Sequence, residues 1–393
     1  MNEAQAVGAE GFAAASSAHL QRGFLPEEDP CLRLPTAFAP WDELGRELPG
    51  LLAAGRARER MEQLPVLEVG LLQEPRHLER AMMLLSFFGH AAVWEKGRQQ
   101  PQLSFPRSVA VPWVQVARRL GRPPVLSYSS HALNNWRRVD AEGPIALGNL
   151  LLQQAFLGGL DESWFILVHV ELEARGAPLV PAAAAAQEAV VADRPEQLLQ
   201  QLRRIASAQQ EVERVLMRMT ERCEPSIFFS RIQPFLHGFL QLPVRYEGVQ
   251  EFGDQPQPFA GASAAQSVLL PLLDAVLGVR HSQDTMHQYL LELRRYMPPA
   301  HLAFLESVER GPSVRDYLLA RRPPELVEAY NGCLELLGSF RQKHMEMTAR
   351  YIIQPAREHA TAQGGSHDQG TGGTPFTHYL KKHRDETHSY LIR

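Results

Sequence analysis

Apolar residues recur at steps of three and four along most of the chain after residue 40, and the elements this spacing predicts are helices. The clearest case is Leu198, Leu202, Ile205, Val212, Val215, Leu216 and Met219, one face of a single long amphipathic helix. The alanine run before it, Ala182 to Ala186, reads as an ordinary helix start or a surface segment. A second stripe, Leu337, Phe340, His344, Met347 and Tyr351, sets an imidazole among aromatic, aliphatic and sulfur side chains, with Arg341 beside it. Strand-like alternation is confined to short pieces such as Ser108 to Val116. Pro123-Pro124, Gly143-Pro144 and Gly158-Gly159 punctuate the region where a smaller N-terminal domain, 1–157, is expected to give way to a larger one, 158–393. The stretch 361–374 is rich in Gly, Ser and Gln and reads as a mobile loop.

Composition narrows the class without changing this picture. At 393 residues the chain can bury a sizeable core and suits two domains. Its 40 basic and 44 acidic residues leave a net charge of -4, which gives no electrostatic footprint for nucleic acid. No stretch approaches the roughly 18 uncharged apolar residues of a membrane span; the best, Val268 to Val279, contains Pro271 and Asp274. The start, MNEAQAVGAEGF, lacks the basic and apolar regions of a secretory signal. Cys31, Cys223 and Cys333 are odd in number and widely spaced, against a disulfide framework or a Cys-type zinc site, so a reducing cytoplasm is expected.

The stripe around His344 carries candidate chemistry. A neutral imidazole is a good axial ligand for haem iron, the porphyrin face packs on Phe, Leu and Met, and Arg341 can pair with a propionate. Taken alone, a histidine on such a face is more often a hydrogen-bonded core residue. The chain has no C-x-x-C-H motif, so a haem would be held without thioether bonds. On a second helix Phe165, His169 and Leu172 share one face. The tail histidines His378, His383 and His388 stand five apart, unlike helical metal pairs, and read as a solvated tail.

The run Tyr330 to Ala356, YNGCLELLGSFRQKHMEMTARYIIQPA, resembles the proximal-ligand helix of the indoleamine 2,3-dioxygenase family of haem enzymes. Also similar to that family, in its order, are LSYSSHALNNW (Leu126 to Trp136), WFILVHVELEARGAP (Trp164 to Pro178), FAGASAAQSVLLPLLDAVLGV (Phe259 to Val279), RRYMPPAHLAFL (Arg294 to Leu305) and GTGGT (Gly370 to Thr374). The resemblance covers most of the chain after about residue 80. It implies a mainly α, two-domain helical haem protein: a small N-terminal helical domain with a few short strands, and a large all-helical domain that binds haem b. It also implies a dioxygenase that inserts O2 across the indole C2–C3 bond of L-tryptophan or a related indoleamine, giving an N-formylkynurenine-type product. An external reductant keeps the iron ferrous, and a monomer is expected.

By the same resemblance His344 is the axial iron ligand, and Arg341 lies at the cofactor, paired with Asp274. His169 lies over the oxygen-binding face; a second axial ligand and a plain core histidine remain open for it. Ser263 matches a serine near haem and oxygen, and Ala262 stands where glycine is usual. Tyr128, His131, Phe165 and Phe228 match substrate-pocket positions, and Thr371 and Gly372 a substrate-covering loop. Gln233 falls where the family carries its substrate-carboxylate arginine. Arg231, two positions away, could replace that arginine only through a local bulge or unwound turn, for which Pro234 gives a reason. Two alternatives follow: the same chemistry on an indole lacking the carboxylate, motivated by Gln233, Phe239 and His131, and a non-catalytic haem carrier or sensor ligated by both His344 and His169.

Overall fold

The computed structural model describes residues 21–363 and 377–393, and helices dominate them. Those of eight or more residues are α1 (Ala39–Ala53), α2 (Pro75–Trp94), α3 (Arg107–Leu120), α4 (Leu160–Gly176), α5 (Leu179–Val191), α6 (Pro195–Met217) and α7 (Leu269–Leu277). They continue with α8 (Thr285–Leu293), α9 (Pro299–Arg310), α10 (Val314–Arg321), α11 (Pro324–Thr348), α12 (Gln354–Gln363) and α13 (Thr377–Ser389). Proline opens α2, α6, α9 and α11, at the position where its missing N–H costs nothing. Strands are short: β1 (Ser104–Phe105) runs parallel to β4 (Arg245–Tyr246), Ser104 opposite Arg245, and β2 (Trp136–Arg138) pairs antiparallel with β3 (Leu150–Leu152), Trp136 opposite Leu152. The mainly helical class is therefore as expected.

Three local expectations change. The alternation Ser108 to Val116 lies within helix α3, because Val109, Ala110, Trp113, Val116 and Ala117 recur at helical steps and bury together. The alanine run is the interior of α5, with Ala182, Ala183 and Ala186 buried; these small side chains let α5 lie close along α6. The tail is a helix, α13, that packs along α11 and fully buries Thr387, with His383 half-buried in it and His388 exposed to solvent as expected. His378 is among the residues whose side chains lie outside the description, and so are Thr371 and Gly372 of the expected loop.

One continuous apolar core extends from Phe24 to Ile392. Polar ties fix its helices in register: Gln209 Nε2 on α6 donates to the Cys333 carbonyl on α11 at 3.0 Å, and Tyr330 Oη on α11 donates to the Leu277 carbonyl at 2.7 Å. Gly278 takes φ +70° and ends α7 in the left-handed conformation that spares glycine a steric penalty. All three cysteines are buried and free. Among the described residues no helix is long and apolar enough to cross a membrane.

Two chain segments touch backbone to backbone at Gly238 and Gly261. A Cβ on Gly261 would lie 2.1 Å from the Leu236 carbonyl oxygen and 2.4 Å from the Gly238 nitrogen. Main chain cannot rotate away as a side chain can, so Gly261→Ala is expected to cost at least the roughly 1–3 kcal/mol of overpacking. The check is urea denaturation: a lower midpoint at unchanged slope is expected, and an unchanged midpoint would refute it.

Candidate functional site

Helix α11 carries Phe340, Arg341 and His344 at one-turn spacing, and the Phe340 and His344 rings lie nearly parallel with centroids 6.4 Å apart. Neither ring nitrogen of His344 has a hydrogen-bond partner among the described residues. Burial first, and then the electrostatic influence of the nearby His169 imidazole, pushes its pKa down to about 4. The result is a neutral imidazole with a lone pair to offer. One turn back, Arg341 grips Asp274 on α7 through Nη2 at 2.8 and 2.6 Å and also donates to the Thr387 hydroxyl on α13. Burial raises the Asp274 pKa, but the Arg341 charge and the His281 hydrogen bond outweigh it, and the net shift is downward. The expected Arg341–Asp274 pair is present.

Helix α4 supplies the facing wall. His169 Nδ1 lies 2.7 Å from the Phe165 carbonyl, which only accepts, so Nδ1 carries the proton and Nε2 a lone pair. Burial lowers the His169 pKa and keeps the ring neutral. Phe165 packs on Phe228 at 4.6 Å and on His131 at 6.1 Å, and Phe228 meets Tyr351 edge-on at 5.8 Å. His131 is buried, its Nε2 unpartnered and its pKa pushed down to about 3 by burial and then by the neighbouring His169 and His90.

Glu173, four residues after His169 and so on the same helix face, was not singled out from the sequence. It is fully buried, and its Oε1 accepts from Tyr128 Oη at 2.9 Å and Ser267 Oγ at 2.7 Å while Oε2 has no partner. Burial pushes its carboxyl pKa up to about 7. The signal that could have found it was an acid one turn from a candidate histidine on the same helix face.

These two walls enclose a cavity of about 510 Å³ whose lining includes Tyr128, His169, Ser267, Asp274, Arg341 and His344 among aliphatic side chains. The residues fit a haem: apolar walls for a flat macrocycle, an unpartnered neutral imidazole for the iron, and a guanidinium for an acidic substituent. Tyr128, His169, Asp274, Arg341 and His344 are thus brought to one cavity. Phe165, His131 and Phe228 form an aromatic group beside it, joined through the 4.8 Å contact of Phe165 with His169.

Ser263 and Ala262 lie on the loop after Phe259. Ser263 Oγ accepts from Ala265 N at 3.2 Å and caps a short turn, with Gln266 completing the capping box. Gln266 also accepts from Tyr128 N at 2.8 Å and donates to the Gly261 carbonyl at 2.9 Å, so it ties this loop to the Tyr128 segment. Gln233 follows a widened helical turn, Phe228–Ile232, of the irregular kind that Arg231 would need to face inward. Arg231 is nevertheless exposed, whereas Gln233 is 2% exposed with its Oε1 unpartnered.

A family model described as indoleamine 2,3-dioxygenase matches residues 16–390. The chain is 36% identical over 375 residues to indoleamine 2,3-dioxygenase 2 of Mus musculus, covering 93% of this chain and 92% of that one. It is 33% identical over 373 residues to indoleamine 2,3-dioxygenase 1 of Rattus norvegicus, with 92% of each chain covered. It is 32% identical over 389 residues to 6-hydroxytryptophan 2,3-dioxygenase fscD of Fusarium equiseti, covering 93% and 95%.

Proposed function

The chain belongs to the indoleamine 2,3-dioxygenase family, and from that premise we propose that it is a haem b enzyme whose substrate is L-tryptophan or a related indoleamine, opened across the indole C2–C3 bond to an N-formylkynurenine-type product. That it is a haem-dependent dioxygenase, an oxidoreductase, follows from the family itself. When bound, haem supplies the iron at which O2 is activated. His344 would hold that iron, and Arg341, itself fixed by Asp274, would pair with a haem carboxylate. His169, with Nδ1 committed to the Phe165 carbonyl, presents Nε2 as an acceptor for the indole N–H. Phe165 and Phe228, packed on each other, would form one aromatic wall against the indole and exclude water, Tyr128 and His131 would shape the pocket, and the Ser263 hydroxyl, which uses its oxygen as a cap, keeps its proton free to donate.

The observation that carries this reading is the pair of neutral imidazoles, His344 and His169, that line one cavity. The two-domain division at residue 157, a monomeric state, a cytoplasmic location and an outside reductant complete the proposal. It is tested by anaerobic reduction of the haem-loaded protein followed by O2 and L-tryptophan. Formation of N-formylkynurenine supports it; an oxygen complex without product would move the search to other indoles, and a low-spin bis-histidine spectrum without oxygen binding would overturn catalysis.

A second reading concerns the substrate alone. Gln233 is neutral and buried with an unpartnered carbonyl, so the pocket offers a dipole where a carboxylate wants a guanidinium. Gln233→Arg should therefore lower KM for L-tryptophan by about 10–100-fold, the worth of a charge-assisted contact of roughly 1.5–3 kcal/mol, and leave tryptamine unchanged. Equal changes for both substrates would show that position 233 does not meet the carboxylate.

A further inference from the structure

A second cluster that lines the same cavity, in contact with Arg341, joins the loop after α7 to the C-terminal helix. His281 stacks on His383 with centroids 4.1 Å apart, and its Nδ1 lies 2.7 Å from Glu386 Oε2. His383 and Glu386 are three residues apart on α13 and so project from one face. One ligand atom from each of His281, His383 and Glu386 falls within 4.8 Å of the others. Neither ring nitrogen of His383 has a partner among the described residues.

We propose that His281, His383 and Glu386 bind a divalent transition metal ion of the zinc class, with Asp274 as the outer carboxylate that orients His281, and that the ion fastens α13 to the loop after α7. The donor chemistry is right: two imidazoles and a carboxylate with a fourth position left for water match a common zinc set, at bond lengths of about 2.0–2.2 Å. The second shell is also in place. Asp274 Oδ2 lies 3.1 Å and Arg341 Nη2 3.4 Å from His281 Nε2; in the tautomer that donates to Asp274, the Nδ1 lone pair points toward Glu386 in the carboxylate–histidine–metal arrangement. Between His281 Nδ1 and Glu386 Oε2, 2.7 Å apart, a positive centre completes the contact. Without the ion that centre is a proton on Nδ1; with it, the proton is released.

The site is distinct from the haem iron, so the test separates the two. Untagged, haem-loaded protein is incubated with zinc chloride, desalted, and its iron and zinc are counted in the same sample, with affinity taken from a competing chelator. One equivalent of zinc is expected, whatever the iron content. His383→Gln and Glu386→Gln should each lower zinc affinity at least about 10-fold and Asp274→Asn about 10–100-fold, whereas His344→Ala should leave it unchanged. A thermal midpoint that rises with zinc in the wild type and not in His383→Gln supplies a second readout. The proposal is overturned by no saturable zinc, by equal affinity in His383→Gln, or by zinc lost with His344.

Discussion

Replacement of His344 by alanine is expected to abolish N-formylkynurenine formation and to strip the haem of its axial ligand while leaving the helix intact. The ring makes no hydrogen bond within the described residues, so its removal leaves no polar group orphaned, and alanine is the best helix former. What disappears is the lone pair that burial keeps available by holding the pKa at about 4. The measurement is the Soret spectrum of the reduced protein beside turnover, with far-UV circular dichroism as the check on folding. Added imidazole, which can enter the vacated space, should restore part of the spectrum. His169→Ala offers the contrast: haem retained, turnover reduced, because its Nε2 would act on the substrate. A His344→Ala enzyme that keeps its spectrum and turnover would refute the assignment, and loss of haem from His169→Ala would favour ligation on both faces.

The sequence made the two long helices of this site legible because their apolar stripes are regular. Leu198 to Leu216 and Leu337 to Met347 bury as their spacing requires, and His344 and His169 fall on the faces expected of them. It failed where two periods coincide. Ser108 to Val116 alternates and is also helical in phase, and only packing of Trp113 in the core decides between them. Long-range partners were the other loss. Asp274 was expected beside Arg341 through resemblance, but nothing local announces that His281 meets Glu386, 105 residues on, or that the C-terminal helix packs on α11. The five-residue spacing of the tail histidines gave no reason to look for a metal set there, whereas the structure brings His383 and Glu386 of the tail beside His281 of a distant loop. Glu173 went unread because it is one of four acids on its helix, with Asp161, Glu162 and Glu171, and its partners Tyr128 and Ser267 are remote in sequence.

Arg341→Met is expected to produce the largest loss of stability, and the loss should grow with pH. The side chains of Arg341 and Asp274 are 7% and 17% exposed, so removing the guanidinium leaves a largely buried carboxylate with one partner fewer. Breaking such a pair costs about 3–5 kcal/mol, here toward the lower end because Asp274 keeps some solvent and keeps His281. Burial works against a charge on His281, but its hydrogen bonds to Asp274 and Glu386 prevail, and its pKa is raised. A raised folded-state pKa means stability present below the unfolded value of about 6.5 and lost as pH rises through the folded one. With Arg341 gone, the charge on His281 is what compensates Asp274, so the gap between wild type and variant should be smallest near pH 6 and widen toward about pH 9. Urea denaturation across that range measures it, and the double variant Arg341→Met with Asp274→Leu should recover much of the loss, since no buried charge then stands alone. A pH-independent gap, or a double variant no more stable than the single one, would mean that the pair packs without coupling.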